Sequence, residues 1–356
     1  PGGLTKLEAA IAAAAIALSV VVGVLHFTHA SDVVTFILGA VALAGIAWVV
    51  SFATEAVGER LGPAATGVLQ STLGNLPELF IVLFALSAGE VVVAQTSILG
   101  SIFANALLVL GLVIIAGARR SEDGVMRFHA RLPNDTATLL MLAVFMIVIL
   151  GLSDTIGDRA SEHQTTISTI GAVLLLLVYF AWLAVYLRGA PPPGAEAGAR
   201  HAAPRVALPA AVALLAVSGT AAALVSDWFV HALGPAVEQL GISRAFTGLV
   251  IVAIAGNAVE NVAGVVLAWK GKSDLAISVG KNSVSQIAVF LFPVLVLLSL
   301  FFEERLTFVV GPVFIGALAL TAIAVWQVPG DGEAVEFEGG ALVALYAILA
   351  VLVFFE

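Results

Sequence analysis

Long apolar stretches, separated by short polar or turn segments, dominate the pattern along this chain. A helix that crosses a bilayer needs about 20 mostly apolar residues. Eleven stretches approach or exceed that length, at roughly 7–27, 33–60, 63–87, 91–117, 134–153, 165–188, 206–233, 245–269, 274–300, 306–327 and 339–355. These runs are too long and continuous for the strands of a membrane β-barrel. The pattern therefore predicts an all-α membrane protein with eleven transmembrane helices.

Composition supports the same class. The 356 residues are 61% hydrophobic and 11% charged, with a mean hydropathy of +1.11, whereas soluble domains are about half apolar and about a quarter charged. The chain has no cysteine, which excludes disulfides and thiolate metal sites. Its net charge of -9 argues against a nucleic-acid partner. We expect an integral protein of a prokaryotic plasma membrane, with no cofactor.

The distribution of Lys and Arg predicts the orientation. Eleven of the fifteen lie on one side of the predicted topology and three on the other. The side richer in these residues is normally cytoplasmic, which places the N-terminus inside and the C-terminus outside. Lys281 fits neither side, because it lies within the ninth span.

The two halves of the chain carry matching polar positions. The sequence GNLPE at 74–78 reappears as GNAVE at 256–260, and Ser101 and Ser283 share the same offset of 182. Each half then holds five spans, an odd number, so the second half is inverted relative to the first. Inverted repeats with polar breaks near the midplane are typical of secondary transporters.

These matches divide the chain into four segments. A run of three prolines marks an extended or flexible linker between the halves. The predicted segments are a leading transmembrane helix (1–30), a first five-helix repeat (31–188), a cytoplasmic linker (189–205) and a second five-helix repeat (206–356).

The repeated motif places an acid inside each half of an otherwise apolar region. Asn75 and Glu78 are three residues apart and share a helix face, and Asn257 and Glu260 repeat this spacing. Acids at bilayer depth are rare and usually functional, although a structural ion pair is the alternative. The fourth and ninth spans add Ser101, Asn105, Ser283 and Gln286. These four could bind the ion, or they could only join helices by hydrogen bonds.

The residue types in this set favour a hard cation. Calcium prefers six to eight oxygen ligands, some of them carboxylates. Histidine is absent from these stretches, which disfavours zinc and copper. Two carboxylates can hold one divalent cation or one proton each, so cation and protons compete for the same oxygens. We therefore expect Glu78 and Glu260 to be the metal ligands of a proton-coupled antiporter.

The ordered motifs resemble the two signatures of the calcium/proton exchanger (CAX) family, a branch of the calcium/cation antiporter superfamily. The first is matched by 74–78, Gln95, Gly100, Ser101, Asn105 and the run LLVLG at 107–111. The second is matched by 256–260, Asp274, Ser283, the run QIAVF at 286–290 and Pro293. The resemblance covers nearly the whole chain from the second span onward.

This resemblance implies one leading helix plus two inverted five-helix repeats, with Glu78 and Glu260 binding the cation and the protons. It also implies that the second and seventh spans are long gating helices. Glu55, Asp227 and Gln95 would then be polar stations on the ion path. Glu55 and Asp227 could instead lie at water-filled helix ends.

The chain departs from the family pattern at three places. Asn261 replaces a usual histidine, and Asn282 replaces a usual glycine before Ser283. Lys281 stands where the first half has Leu99. An ammonium facing the site would oppose a divalent ion, whereas a lysine that reaches toward water would not.

Several alternatives remain open on the sequence alone. Lys281 and the Leu-Pro pair in the first motif, which is similar to the sodium/calcium branch, favour a sodium/proton or sodium/calcium exchanger. An intramembrane enzyme with a dyad of acids is less consistent with the duplicated motif. A channel is a third option, which saturable, proton-coupled flux would exclude. The acidic segment 331–338 is interpreted as a solvated cytoplasmic loop, with calcium sensing as its alternative.

Overall fold

The computed structural model describes residues 5–58, 69, 73–129, 131–188 and 206–356. The chain is mostly helical, as predicted. The helices are α1 (Lys6–Phe27), α2 (Asp32–Gly58), α3 (Leu76–Ser87), α4 (Val91–Arg120), α5 (Arg131–Ile156), α6 (Gln164–Arg188), α7 (Leu208–Leu240), α8 (Arg244–Gly256), α9 (Ala258–Trp269), α10 (Ser273–Ser299), α11 (Pro312–Gln327) and α12 (Glu336–Phe354). A 3₁₀ turn at Arg159–His163 precedes α6. The predicted linker, 189–205, and most of 59–72 in the second and third predicted spans lie outside the described residues.

Eight of the described helices are long and apolar enough to cross a membrane. A ninth crossing is formed if α8 and α9, which are bent by 59° relative to each other, count as one span. The described parts of α3 and α11 are apolar but shorter. The chain is therefore a helical membrane protein, while the count of eleven crossings stays a prediction.

Among the described helices, the seventh and tenth predicted spans differ most from the observed ends. The seventh was expected to end at 233, but α7 continues through Pro235 to Leu240. Proline removes one backbone donor without ending this helix. The tenth was expected from 306, but α11 begins at Pro312. Proline is favoured at the first helical position, where its missing N–H is not needed.

The chain forms two compact units, and each takes residues from both halves of the sequence. The first contains 1–81 and 177–236, and the second contains 82–176 and 237–356. The compact units therefore do not coincide with the halves predicted as repeats.

In the first unit, α1 and α2 pack against each other and against α7. A side chain at Gly23 would meet the ring of Trp228, and the ring of Phe36 stacks on that of Phe229 at 4.9 Å. The helix predicted to lead the chain thus contacts the same part of α7 as α2 does.

In the second unit, α4 is the central, mostly buried helix. It packs on α8, α9 and α12, and the contact with α12 is close because Gly111 and Gly339 face each other. A Cβ on either glycine would lie 2.6 Å from the other's carbonyl oxygen. Short π-helical segments interrupt the helical ladder at Ala104–Val109, Thr247–Val252 and Ile287–Leu291.

One end of the second unit carries a small antiparallel ladder that the all-α prediction did not include. Strand β1 (Val125–Arg127) pairs with β2 (Glu333–Val335), with Met126 opposite Ala334. Arg127 bonds Glu333 at 3.1 Å and Asp123 at 2.6 Å. The Arg127 side chain and the N–H of Val125 donate hydrogen bonds that lower the pKa of the Asp123 carboxyl.

The ladder corrects the interpretation of 331–338 as a plain loop. Its residues form β2 and the first turn of α12, and Glu336 bonds Arg119 at 2.5 Å. These ion pairs are about half exposed, so water screens them and they contribute little to stability. The segment therefore joins the ends of α4 and α12, and its charges remain solvated.

Candidate cation site

Both glutamates of the repeated motif lie in the first turn of a helix. Glu78 is in the first turn of α3 and Glu260 in the first turn of α9. Asn75 and Asn257 come directly before these two helices, and both side chains are buried. The positive end of the helix dipole stabilises a carboxylate at this position. The two copies of the motif thus have the same local relation to a helix start.

The second copy of the motif is a break between two helices. Helix α8 ends at Gly256, α9 begins at Ala258, and the 59° bend lies at Asn257. The N–H of Asn257 still bonds the carbonyl of Ala253 at 3.1 Å, and its carbonyl accepts from the N–H of Asn261 at 3.0 Å. The Gly-Asn pair of the second motif therefore lies at an interruption of the helix.

The Asn257 side chain connects this break to α4. Its Nδ2 donates to Ser101 Oγ at 2.8 Å and to the Ala253 carbonyl at 2.9 Å. Its Oδ1 accepts from Asn105 Nδ2 at 2.8 Å, and Asn105 also bonds the Ser101 carbonyl at 2.9 Å. All three side chains are almost completely buried. The structure therefore brings together Ser101, Asn105 and Asn257 from the two halves of the sequence.

Glycines allow α4 and α8 to approach closely enough for this network. A Cβ at Gly100 would meet the backbone of Leu249, and one at Gly248 would meet Thr96 and the Val93 carbonyl. Because Gly100 precedes Ser101, this crossing sets the distance between Ser101 and the break at Asn257.

Helix α10 packs on the π-helical segment of α4 and carries Ser283, Gln286 and Lys281. Ser283 is buried and Gln286 is half-buried. Within the part of the chain that the structure describes, no hydrogen bond joins either of these two side chains to the Asn257 network. Their predicted role in cation binding stays a prediction.

Lys281 is buried and its ammonium donates to the carbonyl of Val325, at 3.4 Å. Val325 lies in the last turn of α11, where helix carbonyls lack intrahelical donors and the helix dipole attracts a cation. Among the described residues, no carboxylate forms an ion pair with Lys281. The side chain therefore points toward the end of α11, and its effect on the ion stays a prediction.

The three residues assigned to the ion path have separate environments. Glu55 is exposed on α2. On α7, His231 Nδ1 lies 3.4 Å from Asp227 Oδ1 and 2.8 Å from the Asp227 carbonyl oxygen. Gln95 donates to the carbonyls of Thr307 and Val309, which come before α11. Gln95 thus fixes a connection between helices, and its place on the ion path stays a prediction.

The break before Glu260 gathers the amide and hydroxyl groups of Asn257, Asn105 and Ser101. Among the described residues, no three His, Asp or Glu side chains gather into a metal cluster. A cation beside Glu260 would be held by amide, hydroxyl and carboxylate oxygens. Calcium accepts such ligands at 2.3–2.6 Å in flexible geometry.

The sequence of this chain matches one known family over most of its length. The family model described as sodium/calcium exchanger protein matches residues 31–188 and 210–355. This chain belongs to that family. The expected kinship with the cation exchangers is confirmed.

Curated relatives and solved structures agree with this placement. The chain is 31% identical to the Ca²⁺/H⁺ antiporter ChaA of Bacillus subtilis (strain 168), with 96% of this chain and 97% of the relative covered. It is 33% identical to the vacuolar calcium ion transporter of Schizosaccharomyces pombe (strain 972 / ATCC 24843), covering 90% and 78%. A crystal structure of the Ca²⁺/H⁺ antiporter protein YfkE matches with a TM-score of 0.81, 27% identity and coverage of 99% and 100%.

Proposed function

We propose that this protein is a secondary active antiporter that moves Ca²⁺ in exchange for protons. Relatives at 31% and 33% identity carry the names Ca²⁺/H⁺ antiporter and vacuolar calcium ion transporter. The observation that carries the proposal is local: Glu260 directly follows a helix break whose buried asparagine bonds Ser101 and Asn105. A single acid within a buried set of neutral oxygens can take either a cation or a proton.

In the proposed cycle, Glu78 and Glu260 are the carboxylates that exchange their cargo. When both are ionised, they bind one divalent cation together with neutral oxygens from Asn75, Asn257 and the polar residues of α4 and α10. When the cation leaves, desolvation and mutual repulsion favour one proton on each carboxylate. The cycle thus exchanges one divalent ion for two protons.

The proposed architecture is one leading helix followed by two inverted repeats of five helices. Two parallels between the halves support it: each motif glutamate lies in the first turn of a helix, and π-helical segments occur at matching places, Ala104–Val109 and Ile287–Leu291. A π-segment within an α-helix often marks a functional site. Glu55 and Asp227 would lie along the gating helices α2 and α7.

The proposed orientation places the N-terminus in the cytoplasm and the C-terminus outside, in a prokaryotic plasma membrane. Two contacts show which loops share an end of the second unit. Strands β1 and β2 pair, and the backbone N–H of His129 bonds Asp274 at 2.7 Å. These loops carry much of the Lys and Arg excess that predicts the cytoplasmic side.

Flux in proteoliposomes tests the function and its sodium alternative. Purified protein is reconstituted, and uptake of Ca²⁺ or Na⁺ is followed with either a proton or a sodium gradient across the membrane. The proposal expects saturable Ca²⁺ uptake driven by the proton gradient and abolished in Glu260→Gln. Calcium flux driven only by sodium, or sodium flux driven by protons without calcium transport, would favour the sodium exchanger instead.

A further inference from the structure

One face of α9 packs along α4, and this face carries the polar residues. Asn257 bonds Ser101 and Asn105 at the start of the contact. Two turns later, a Cβ at Gly264 would lie 3.1 Å from Val113 and 3.7 Å from Val109. Residues at i, i+3, i+4 and i+7 share a helix face. Glu260 and Asn261 therefore lie between these two contact points.

Two amide oxygens in this contact have no hydrogen-bond partner within the described part of the chain. They are Asn105 Oδ1 and Asn261 Oδ1, and both atoms are inaccessible to solvent. Asn105 is itself 0% exposed. A buried polar atom without a partner costs about 1–3 kcal/mol and requires an explanation, such as a bound ion.

The position of Asn261 connects these observations. Its N–H bonds the carbonyl of Asn257 at 3.0 Å, so it sits one turn beyond the residue that bonds Asn105. It also directly follows Glu260. Two neutral oxygens without partners and one carboxylate therefore belong to residues along the same contact between α4 and α9.

We propose that Asn261 is a cation ligand that determines specificity, supplying a neutral amide oxygen beside Glu260 while Asn105 supplies a second one. This inference rests on the proposed function of Glu260. Calcium accepts six to eight protein oxygens, whereas Mg²⁺ demands octahedral geometry and keeps several waters. Additional protein oxygens that carry no charge therefore favour calcium over magnesium. These oxygens also add no group that binds a proton at physiological pH.

Calcium binding to the purified full-length protein tests this role. Calorimetric titrations with Ca²⁺ and with Mg²⁺ are made at one mildly alkaline pH, for wild type and four variants. Asn261→Leu keeps the approximate volume and removes the oxygen, whereas Asn261→Asp keeps the oxygen and removes the amide donor. Asn282→Leu is the matched control, because Asn282 is exposed on α10. Glu260→Gln tests the proposed function separately.

The expected pattern of affinities distinguishes a cation ligand from a residue that only supports the structure. Asn261→Leu should weaken Ca²⁺ binding by about tenfold, the effect of losing one charge-assisted contact, with little change for Mg²⁺. Asn261→Asp and Asn282→Leu should bind Ca²⁺ at least as tightly as wild type. If instead the amide donor matters because it holds Glu260, Asn261→Asp will lose affinity as Asn261→Leu does.

Two outcomes overturn the inference and leave the proposed function intact, provided that Glu260→Gln still abolishes Ca²⁺ binding. The first is unchanged Ca²⁺ affinity in folded Asn261→Leu. The second is an equal loss of Ca²⁺ affinity in both Asn261 variants. If Asn261→Leu does not fold, Asn261→Asp alone tests the inference. Calcium affinity equal to or tighter than wild type supports oxygen ligation, and a tenfold loss of calcium affinity contradicts it. Wild-type calcium binding in Glu260→Gln would contradict the proposed function itself.

Discussion

Adding a single methyl group at Gly100 tests how the crossing of α4 and α8 supports the site. In Gly100→Ala, the new Cβ would lie 2.5 Å from Leu249 Cα and 2.7 Å from its carbonyl carbon. Ordinary carbon–carbon contacts are about 3.5–4.0 Å. Because backbone atoms form the obstacle, the two helices must separate by about 1 Å to restore such a contact.

That separation has two calculable consequences. Overpacking costs about 1–3 kcal/mol, and the higher helix propensity of alanine offsets about 1 kcal/mol of it. We expect a net loss of stability, up to about 2 kcal/mol. The hydrogen bond from Asn257 to Ser101, now 2.8 Å, would lengthen beyond the limit of about 3.2 Å for a good bond. Displacements of about 1 Å can cost about a hundredfold in rate, so transport should fall by at least about tenfold.

The assay combines thermal unfolding of the purified protein with Ca²⁺ uptake in proteoliposomes. Gly280→Ala is the matched control, because Gly280 lies within α10 and an added Cβ there meets no atom within 4 Å. Gly280→Ala should match or exceed wild-type stability. Wild-type melting temperature and uptake in Gly100→Ala would refute the argument that this close crossing positions the site.

Four further outcomes are expected. Glu78→Gln and Glu260→Gln should each abolish exchange in a folded protein, since glutamine keeps the shape and loses the charge; wild-type flux would remove that residue from the mechanism. Apparent Ca²⁺ affinity should weaken as pH falls, because protons compete for the same carboxylates, and a pH-independent affinity measured by equilibrium binding would contradict competition. Lys281→Met should leave the ratio of Ca²⁺ to Na⁺ affinity unchanged, because the ammonium bonds Val325; a large shift toward calcium would show that Lys281 acts on the ion. Neutralising the acidic segment should barely alter Ca²⁺-dependent uptake, and a strong change would indicate a sensor. The residues to replace in that variant are Asp331, Glu333, Glu336 and Glu338.

Helices were the most predictable part of this molecule. In a bilayer, backbone groups must bond within their own segment, so a long apolar run has few alternatives to a helix. The first two runs, predicted at 7–27 and 33–60, are observed as Lys6–Phe27 and Asp32–Gly58. Local residue types also indicated the break at Asn257, because a Gly-Asn pair is a poor helix interior.

Features set by contacts distant in sequence could not be predicted. Strands β1 and β2 have three residues each, and their pairing depends on the packing of α4 against α12. The direction of the Lys281 side chain depends on where α11 ends. For the candidate site, the sequence grouped Ser101, Asn105 and Asn257, and hydrogen bonds join these three side chains in the structure; their role in cation binding stays a prediction. The sequence identified Asn261 only as a departure from the family pattern, because an amide oxygen without a hydrogen-bond partner is visible only in the structure.

Coupling of the two ion movements tests the central claim most directly. Proteoliposomes containing the purified protein, with a calcium dye and a pH dye enclosed, are given an outward proton gradient at zero membrane potential and then external Ca²⁺. The account predicts that Ca²⁺ enters while protons leave, that a reversed calcium gradient reverses both movements, and that Glu260→Gln shows neither. Calcium entry at an undiminished rate without any proton movement would contradict the proposed exchange.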